Sequence, residues 1–275
     1  MPGCLMLQIA QQSMQSLMLT MRCNGVDVGN ATGFVVKLGA GIGLVTNRHN
    51  VTGRYQGTGK PISPTGLVPN EIAIFHPLPF DKQRFVPEWE ERVEPLYVGG
   101  SVDGAPRWKE HPRYGSRADF VLLPLTQTQG IASTPYVMTD GFTIAVQPAE
   151  TVSVIGFPFN IAAGGRLAVW ATGTVATEPE VDYNDLPLFL IDCRTRPGQS
   201  GSPVVARRQG MIMLTNGKQV PSNGTVSRFL GIYSGRVHKD ADIGMVWKAS
   251  AIQELVNAVS PPITLFKLWP NEKPA

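Results

Sequence analysis

The stretch Thr195-Arg196-Pro197-Gly198-Gln199-Ser200-Gly201-Ser202-Pro203-Val204-Val205 constrains this chain more than any other. A serine stands between two nearby glycines, and a proline then opens an apolar run. A nucleophilic serine needs a turn of this kind. Its hydroxyl must stand clear of the backbone while neighbouring amide N–H groups converge on one point. Gly198 has no Cβ, so it can take dihedrals closed to other residues and lie against a substrate. The N–H groups of Gly198 and Ser200 would then form an oxyanion hole. Taken alone, the same residues fit a glycine-rich hairpin turn equally well.

Two further stretches shift that balance. Thr46-Asn47-Arg48-His49-Asn50-Val51 puts a histidine at the end of an apolar run, and Arg117-Ala118-Asp119-Phe120-Val121-Leu122-Leu123 puts an aspartate at the head of another. The chain order His, Asp, Ser is that of the two-barrel serine proteases. An α/β-hydrolase would need G-x-S-x-G and the order Ser, Asp, His. Here Ser202 takes the last glycine position, and no acidic residue lies between Ser200 and the following histidine, His238.

Composition agrees with an all-β chain. The 275 residues fit one large domain or two small ones, and 43% hydrophobic against 16% charged residues permits a real core. With 29 glycines and 23 prolines, many short strands joined by turns are favoured over a helical bundle. The net charge of +3 and the lack of a basic cluster interleaved with aromatics give no reason to expect nucleic acid. No apolar run is long enough for a membrane span. Three cysteines without metal spacing, and an N-terminus lacking a cationic start, point to reduced thiols and a cytoplasmic setting. Cys193 reads as a small buried hydrophobe. His76 and His111 each precede a proline and read as surface residues, as does His238 next to Lys239 and Asp240. No histidine pair has ligand spacing, so neither metal nor other cofactor is expected.

Strands are expected over residues 14–23 and 33–38, flanking an Asn24-Gly25 turn, and over 41–46, 71–75 and 120–125. Residues 53–70 and 99–116 read as long loops, and 80–94 as an excursion with one short helical turn. After a connection over 126–140, strands are expected at 142–145, 151–155, 167–175, 188–191, 202–206, 229–233 and 244–247. Asn216-Gly217 and Asn223-Gly224 mark a projecting hairpin over 207–227. The spacing of Ala249, Ile252, Leu255, Val256 and Val259 predicts a helix, ended by Pro261-Pro262.

Taken together, several segments resemble the HtrA-like peptidases of the trypsin fold. Gly43-Leu44-Val45-Thr46-Asn47-Arg48-His49 is similar to the family's stretch around its histidine, and Ala118-Asp119-Phe120-Val121-Leu122-Leu123 to that around its aspartate. Val154-Ile155-Gly156-Phe157-Pro158-Phe159, Val169-Trp170-Ala171-Thr172-Gly173-Thr174-Val175 and the run from Asp192 to Pro203 resemble three more, all in the family's order. Three features depart from the pattern. No PDZ-like segment follows the helix, Ser202 replaces a common glycine, and Gln199 stands where animal trypsins carry an aspartate that pairs with a freed N-terminus. Activation by N-terminal cleavage is therefore not expected.

The resemblance implies an all-β fold of two six-stranded Greek-key barrels and a C-terminal α-helix. Residues 1–130 would carry His49 and Asp119, residues 131–260 would carry Ser200 and the helix, and 261–275 would be a tail. It implies a serine endopeptidase acting on a protein or peptide, with Ser200 as nucleophile, His49 as general base and Asp119 as its orienting partner. Tyr233-Ser234-Gly235 would pair with substrate backbone. The side chain before the cut would meet Arg194, Thr195, Ile232, Tyr233, Ser234, Gly235, Gly244 and Val246. No carboxylate stands at that pocket's base, so small or medium aliphatic residues are expected. An acidic residue is the alternative if Arg194 or Arg196 turns inward, against the cost of burying an unpaired charge. Two rival functions stay open: a binding module whose Gly198 turn is collapsed, and a protease dedicated to a single cleavage. Oligomeric state is not readable.

Overall fold

Asn24 and Gly25 both take positive φ, 50° and 78°, as a two-residue hairpin turn of the right twist requires. They join β1 (Ser16–Cys23) to β2 (Val26–Leu38), and β1 pairs antiparallel along its whole length with the first part of β2, Val26 to Phe34. The computed structural model of the chain describes residues 9–79, 87–138 and 144–260. A short helix, α1 (Gln11–Gln15), precedes β1, so the expected first strand starts two residues later than its apolar pattern suggested. β2 starts seven residues earlier than expected, because Val26–Thr32 is polar enough to hide a ladder that the turn enforces.

Then follow β3 (Gly41–Thr46), the one-turn helix α2 (Arg48–Thr52), β4 (Glu71–Pro77), β5 (Trp89–Pro95) and β6 (Val121–Pro124). These form a six-stranded antiparallel sheet in the order β5-β4-β1-β2-β3-β6. Its two ends meet through a short segment: Arg107 N–H donates to Leu96, and Lys109 exchanges two hydrogen bonds with Leu122. β5 corrects the expected helical turn, insofar as it lies within the described residues. It is a charged edge strand, with Glu91 paired to Arg22 and Glu90 to Arg92. Charge blunts an open edge and also masks the alternation that betrays a strand. Glu94, alone among these carboxylates, is buried. It accepts bonds from Thr126 Oγ1 (2.8 Å) and Gln127 N–H (2.7 Å), and lies 3.1 Å from Arg107, so it pins the start of the connection to the second half.

The second half contains β7 (Thr151–Gly156), β8 (Val169–Val175), β9 (Leu188–Asp192), β10 (Pro203–Met213), β11 (Gln219–Arg236) and β12 (Ile243–Lys248). They close into a barrel in the order β10-β11-β12-β9-β8-β7. The expected 142–145 strand falls partly outside the described residues, and Ile144 forms an isolated bridge to Leu214. Asn216-Gly217 turns the β10–β11 hairpin, whereas Asn223-Gly224 makes an irregularity within β11. The final helix, α3 (Ala249–Val259), buries Ala251, Ile252, Leu255 and Val256.

The chain is thus mostly β, with two six-stranded antiparallel sheets and a C-terminal helix, as expected. Each sheet has its own core: Leu19, Leu44, Ile72 and Ile74 in the first, Val154, Phe189, Ile191 and Val204 in the second. A third cluster draws Phe34 and Phe120 from one half, Ile155, Val205 and Trp247 from the other, and α3 onto both.

His76 and His111 are buried, each 1% exposed, which corrects their assignment to the surface. The prolines that follow them end strands or turns without lifting the imidazoles to solvent. Burial lowers the His76 pKa to about 4, despite the pull of Glu94. His111 Nδ1 accepts N–H bonds from Arg113 and Tyr114, and Nε2 lies 3.4 Å from Glu254 on α3. His238 is exposed, and Cys193 is buried with its thiol pushed up to about 11 by burial and nearby carboxylates. Among the described residues no helix is long and apolar enough to cross a membrane, and no group of histidine, cysteine and carboxylate side chains has the arrangement of a metal site.

Candidate active site

β3 runs straight into α2, which lifts His49 out of the sheet. Gly53 ends this turn in the left-handed conformation at φ 63°. Asp119 lies just before β6, the strand that pairs with β3, so sheet register brings the two side chains together. Asp119 Oδ2 is 2.7 Å from His49 Nδ1, and Oδ1 accepts the His49 backbone N–H at 3.1 Å. Asn47 donates its amide to the Asp119 main-chain carbonyl at 2.6 Å, fixing the segment from below. An ionised carboxylate can only accept, so Nδ1 carries the hydrogen and Nε2 is left to face outward. Burial acts to lower the His49 pKa, but the charge of Asp119 and its hydrogen bond outweigh it. The net shift is upward from the ordinary value of about 6.5.

Ser200 comes from the second half. Between Arg196 and Ser200 every backbone carbonyl is engaged. Arg196 C=O accepts from Gln199 N–H, Pro197 C=O from Phe159 N–H at 2.7 Å, and Gln199 C=O from Ser202 N–H. Gly198 C=O accepts from Thr32 Oγ1 at 2.8 Å, and Ser200 C=O from Thr32 N–H at 2.9 Å. In a trans peptide the N–H points opposite to the C=O before it. Holding the Pro197 and Gln199 carbonyls therefore aims the N–H groups of Gly198 and Ser200 the other way. Among the described residues neither N–H has an acceptor within the protein. Gly198 has φ 93°, and a Cβ there would stand 2.4 Å from the Phe157 carbonyl oxygen, so only glycine fits. Gln199 is buried and accepts the Arg196 N–H on Oε1 at 2.7 Å, which closes the turn without a charged partner.

Sequence reasoning missed Thr32. It is fully buried, and besides its two bonds to the turn it accepts the Phe157 N–H on Oγ1 and the Thr46 hydroxyl on its carbonyl. It is the latch by which the first sheet holds the serine turn of the second. The available signal was a threonine and a glycine just before the apolar run of 34–36, polar at the inner end of a buried strand. Asn50 joins the same network, donating to Thr46 Oγ1 at 3.0 Å.

Ser200, His49 and Asp119 all line one cavity of about 690 Å³. The Ser200 hydroxyl makes no hydrogen bond to His49 among the described residues, and both residues line the cavity. β10 leaves β11 after Ile232, so Ser234, Gly235 and Arg236 have β12 on one side and the cavity on the other.

Of the eight residues expected around the side chain before the cut, only Ser234 and Gly235 line this cavity. Ile232 and Val246 are fully buried in the cores. Tyr233 lies over Gly244 and hydrogen-bonds through its hydroxyl to Thr195, so its ring fills the space between β12 and the segment before the turn. Arg194 is 78% exposed and Arg196 37%. With Arg236 they surround Asp242 at 3.7 to 3.9 Å, facing solvent.

A family model described as a trypsin-like peptidase domain matches residues 31–213, more than half of the chain and the span that carries His49, Asp119 and Ser200. No curated protein matches. Among solved structures, the Rv3671c protease of M. tuberculosis in its active form is similar at 14% identity, covering 89% of this chain and 80% of its own, with a TM-score of 0.46. The serine endoprotease of Yersinia pestis is similar at 12% identity over 92% of this chain and 70% of its own, with a TM-score of 0.46. A thermostable serine protease, AL20, from an extremophilic microorganism is 15% identical over 90% of this chain and 97% of its own, with a TM-score of 0.48. The family match, spanning both sheets and ending within β10, is what assigns the chain: it belongs to the trypsin-like peptidases.

Proposed function

We propose that this peptidase cleaves peptide bonds through an acyl-enzyme on Ser200. Ser200 Oγ attacks the carbonyl carbon while His49 Nε2 takes its proton. The oxygen that becomes negative lies against the N–H groups of Gly198 and Ser200. As the C–N bond breaks, His49 returns the proton to the leaving amine. Water then attacks the ester by the same route, with His49 again as base. Asp119 holds the reactive tautomer and stabilises the imidazolium. The hydrogen bond between Ser200 and His49 forms when substrate fills the cavity, as catalytic hydrogen bonds commonly align only on binding.

The observation that carries this reading is the engagement of the Pro197 carbonyl by Phe159. A collapsed turn, as a pure binding module would need, turns that carbonyl toward the cavity and the Gly198 N–H away from it. The engaged carbonyls and the two unpartnered N–H groups support the open form of the turn that an oxyanion hole needs.

Histidine as base sets the pH dependence. Only neutral His49 can accept the serine proton, and Asp119 favours the charged form. kcat/KM for peptide hydrolysis should therefore rise with pH through a midpoint above about 6.5. A rate that stays flat from about pH 5 to 9, with folding intact, would remove His49 from this role.

The residue before the cut is small or medium aliphatic, such as Val, Ala or Leu. Tyr233 and Thr195 fill the space a long side chain would need, and the arginines nearest it face Asp242 and solvent. Profiling of cleavage sites in a denatured protein mixture reads this directly. Cuts concentrated after Lys or Arg contradict the pocket argument, and cuts after Asp or Glu mean that an arginine turns inward.

A further inference from the structure

The cavity holding Ser200 and His49 is bounded by both halves of the chain. On the second-half side its lining combines Arg236 and Lys239 with the apolar Leu186, Leu188, Met245 and Trp247. Toward the first sheet it is walled by Met21 and Val28 of β1 and β2, and by Tyr55, Ile62, Leu67 and Pro69 from the segment after α2. No lining residue from β1, β2 or residues 53–70 carries a charge. Tyr55 and Leu67 are 54% and 39% exposed, apolar surface left open at the cavity mouth.

This wall is fixed in place. Ile62 N–H donates to Gly53 C=O at 2.8 Å, Tyr55 N–H to Lys60 C=O at 2.9 Å, and Asn70 N–H to Arg22 C=O at 2.9 Å. Gln56 reaches across to the Ser116 carbonyl. Pro69 packs so tightly on Gly53 that a Cβ at Gly53 would meet its ring at 2.6 Å. Residues 53–70 are thus a loop, as expected, held in a defined shape by these bonds.

The chemistry decides which part of a substrate meets it. His49 must hand its proton to the leaving amine, so the chain beyond the cut bond departs past His49. His49 sits on α2, and residues 53–70 are the continuation of α2. The residues before the cut lie along the β11 edge, beside Ser234, Gly235 and Arg236. We propose that the 53–70 wall selects the leaving part of the substrate, favouring an aliphatic or aromatic side chain at the first or second residue after the cut. This rests on the acyl-enzyme reading of Ser200 and His49. An apolar side chain gains contact with Ile62 and Leu67, while a charged one loses hydration and finds no partner among the 53–70 residues that line the cavity; Arg117 is the lining cation of the first half. Apolar pocket contacts of this size discriminate by about tenfold or more.

The test is cleavage of a proteome-derived peptide library, with Ser200 labelling by a fluorophosphonate measured on the same sample. The expected result is enrichment of about tenfold for Leu, Ile, Val, Met or Phe over Asp, Glu or Ser in the first two positions after the cut. Leu67→Glu should shift that preference toward Lys or Arg and keep the preference before the cut. Leu67→Ser, a milder change at a half-exposed site, should weaken the apolar bias without reversing it. A labelled enzyme that makes no cuts, makes cuts with no bias after the bond, or shows the same bias in both variants overturns the proposal alone. No labelling of the folded protein overturns the acyl-enzyme reading and the proposal with it.

Discussion

Ser200→Ala is expected to lower kcat for peptide hydrolysis by about 10⁶ and to leave the thermal unfolding midpoint nearly in place. The size follows from the role: without Oγ no acyl-enzyme forms, and only polarisation by the two N–H groups remains. The small effect on stability follows from the surroundings. The bonds that hold the turn run through the Ser200 carbonyl to Thr32 and Asn50, and through Gly201 N–H to Tyr233, none of which uses the hydroxyl. Steady-state rates on a peptide substrate and a thermal melt of the same preparation check both halves. Ser202→Ala is the matching control. Its hydroxyl is buried beside Gly156, so its loss should not remove activity. Activity kept by Ser200→Ala and lost by Ser202→Ala would place the nucleophile two residues later.

Asp119→Asn is expected to lower kcat by about 10⁴. An amide at this position keeps the shape and can still accept the His49 backbone N–H. It no longer offers Nδ1 an ionised acceptor, and its NH₂ group favours the wrong imidazole tautomer. A second signature separates this from simple damage. Burial acts to lower the His49 pKa, and the Asp119 charge is what outweighs it. Removing that charge should move the acid limb of the residual kcat/KM profile to lower pH. A loss of rate with the limb unmoved would mean that Asp119 shapes the site without setting the charge of His49.

The chemistry of the chain was more legible than its walls. Ser200, His49 and Asp119 stand at strand ends in a recognisable order, and such positions are marked by glycines and by apolar runs. β5 was not legible, because an edge strand clad in Glu90, Glu91 and Arg92 carries the polar signature of a loop. Thr32 was hidden for the opposite reason. Its importance lies in bonds to Gly198 and Ser200, far away in sequence, which no local pattern records. His76 and His111 show that a proline next in sequence marks a change of backbone direction and does not report burial. The surroundings of the cut bond were the least legible. The position of the Tyr233 ring over Gly244 is a packing outcome that the resemblance behind the expected pocket residues does not convey.

The central claim is that Ser200 is a competent nucleophile in the folded protein, with its oxyanion hole already formed. Reaction with a fluorophosphonate at neutral pH, followed by mass-spectrometric mapping, tests it most directly, because the probe needs the activated hydroxyl and the N–H pair but no particular peptide. The account predicts a single modified residue, Ser200, in the folded protein, no modification after denaturation, and much slower labelling in Asp119→Asn. Modification at Ser202, or none in a protein shown to be folded, would contradict it.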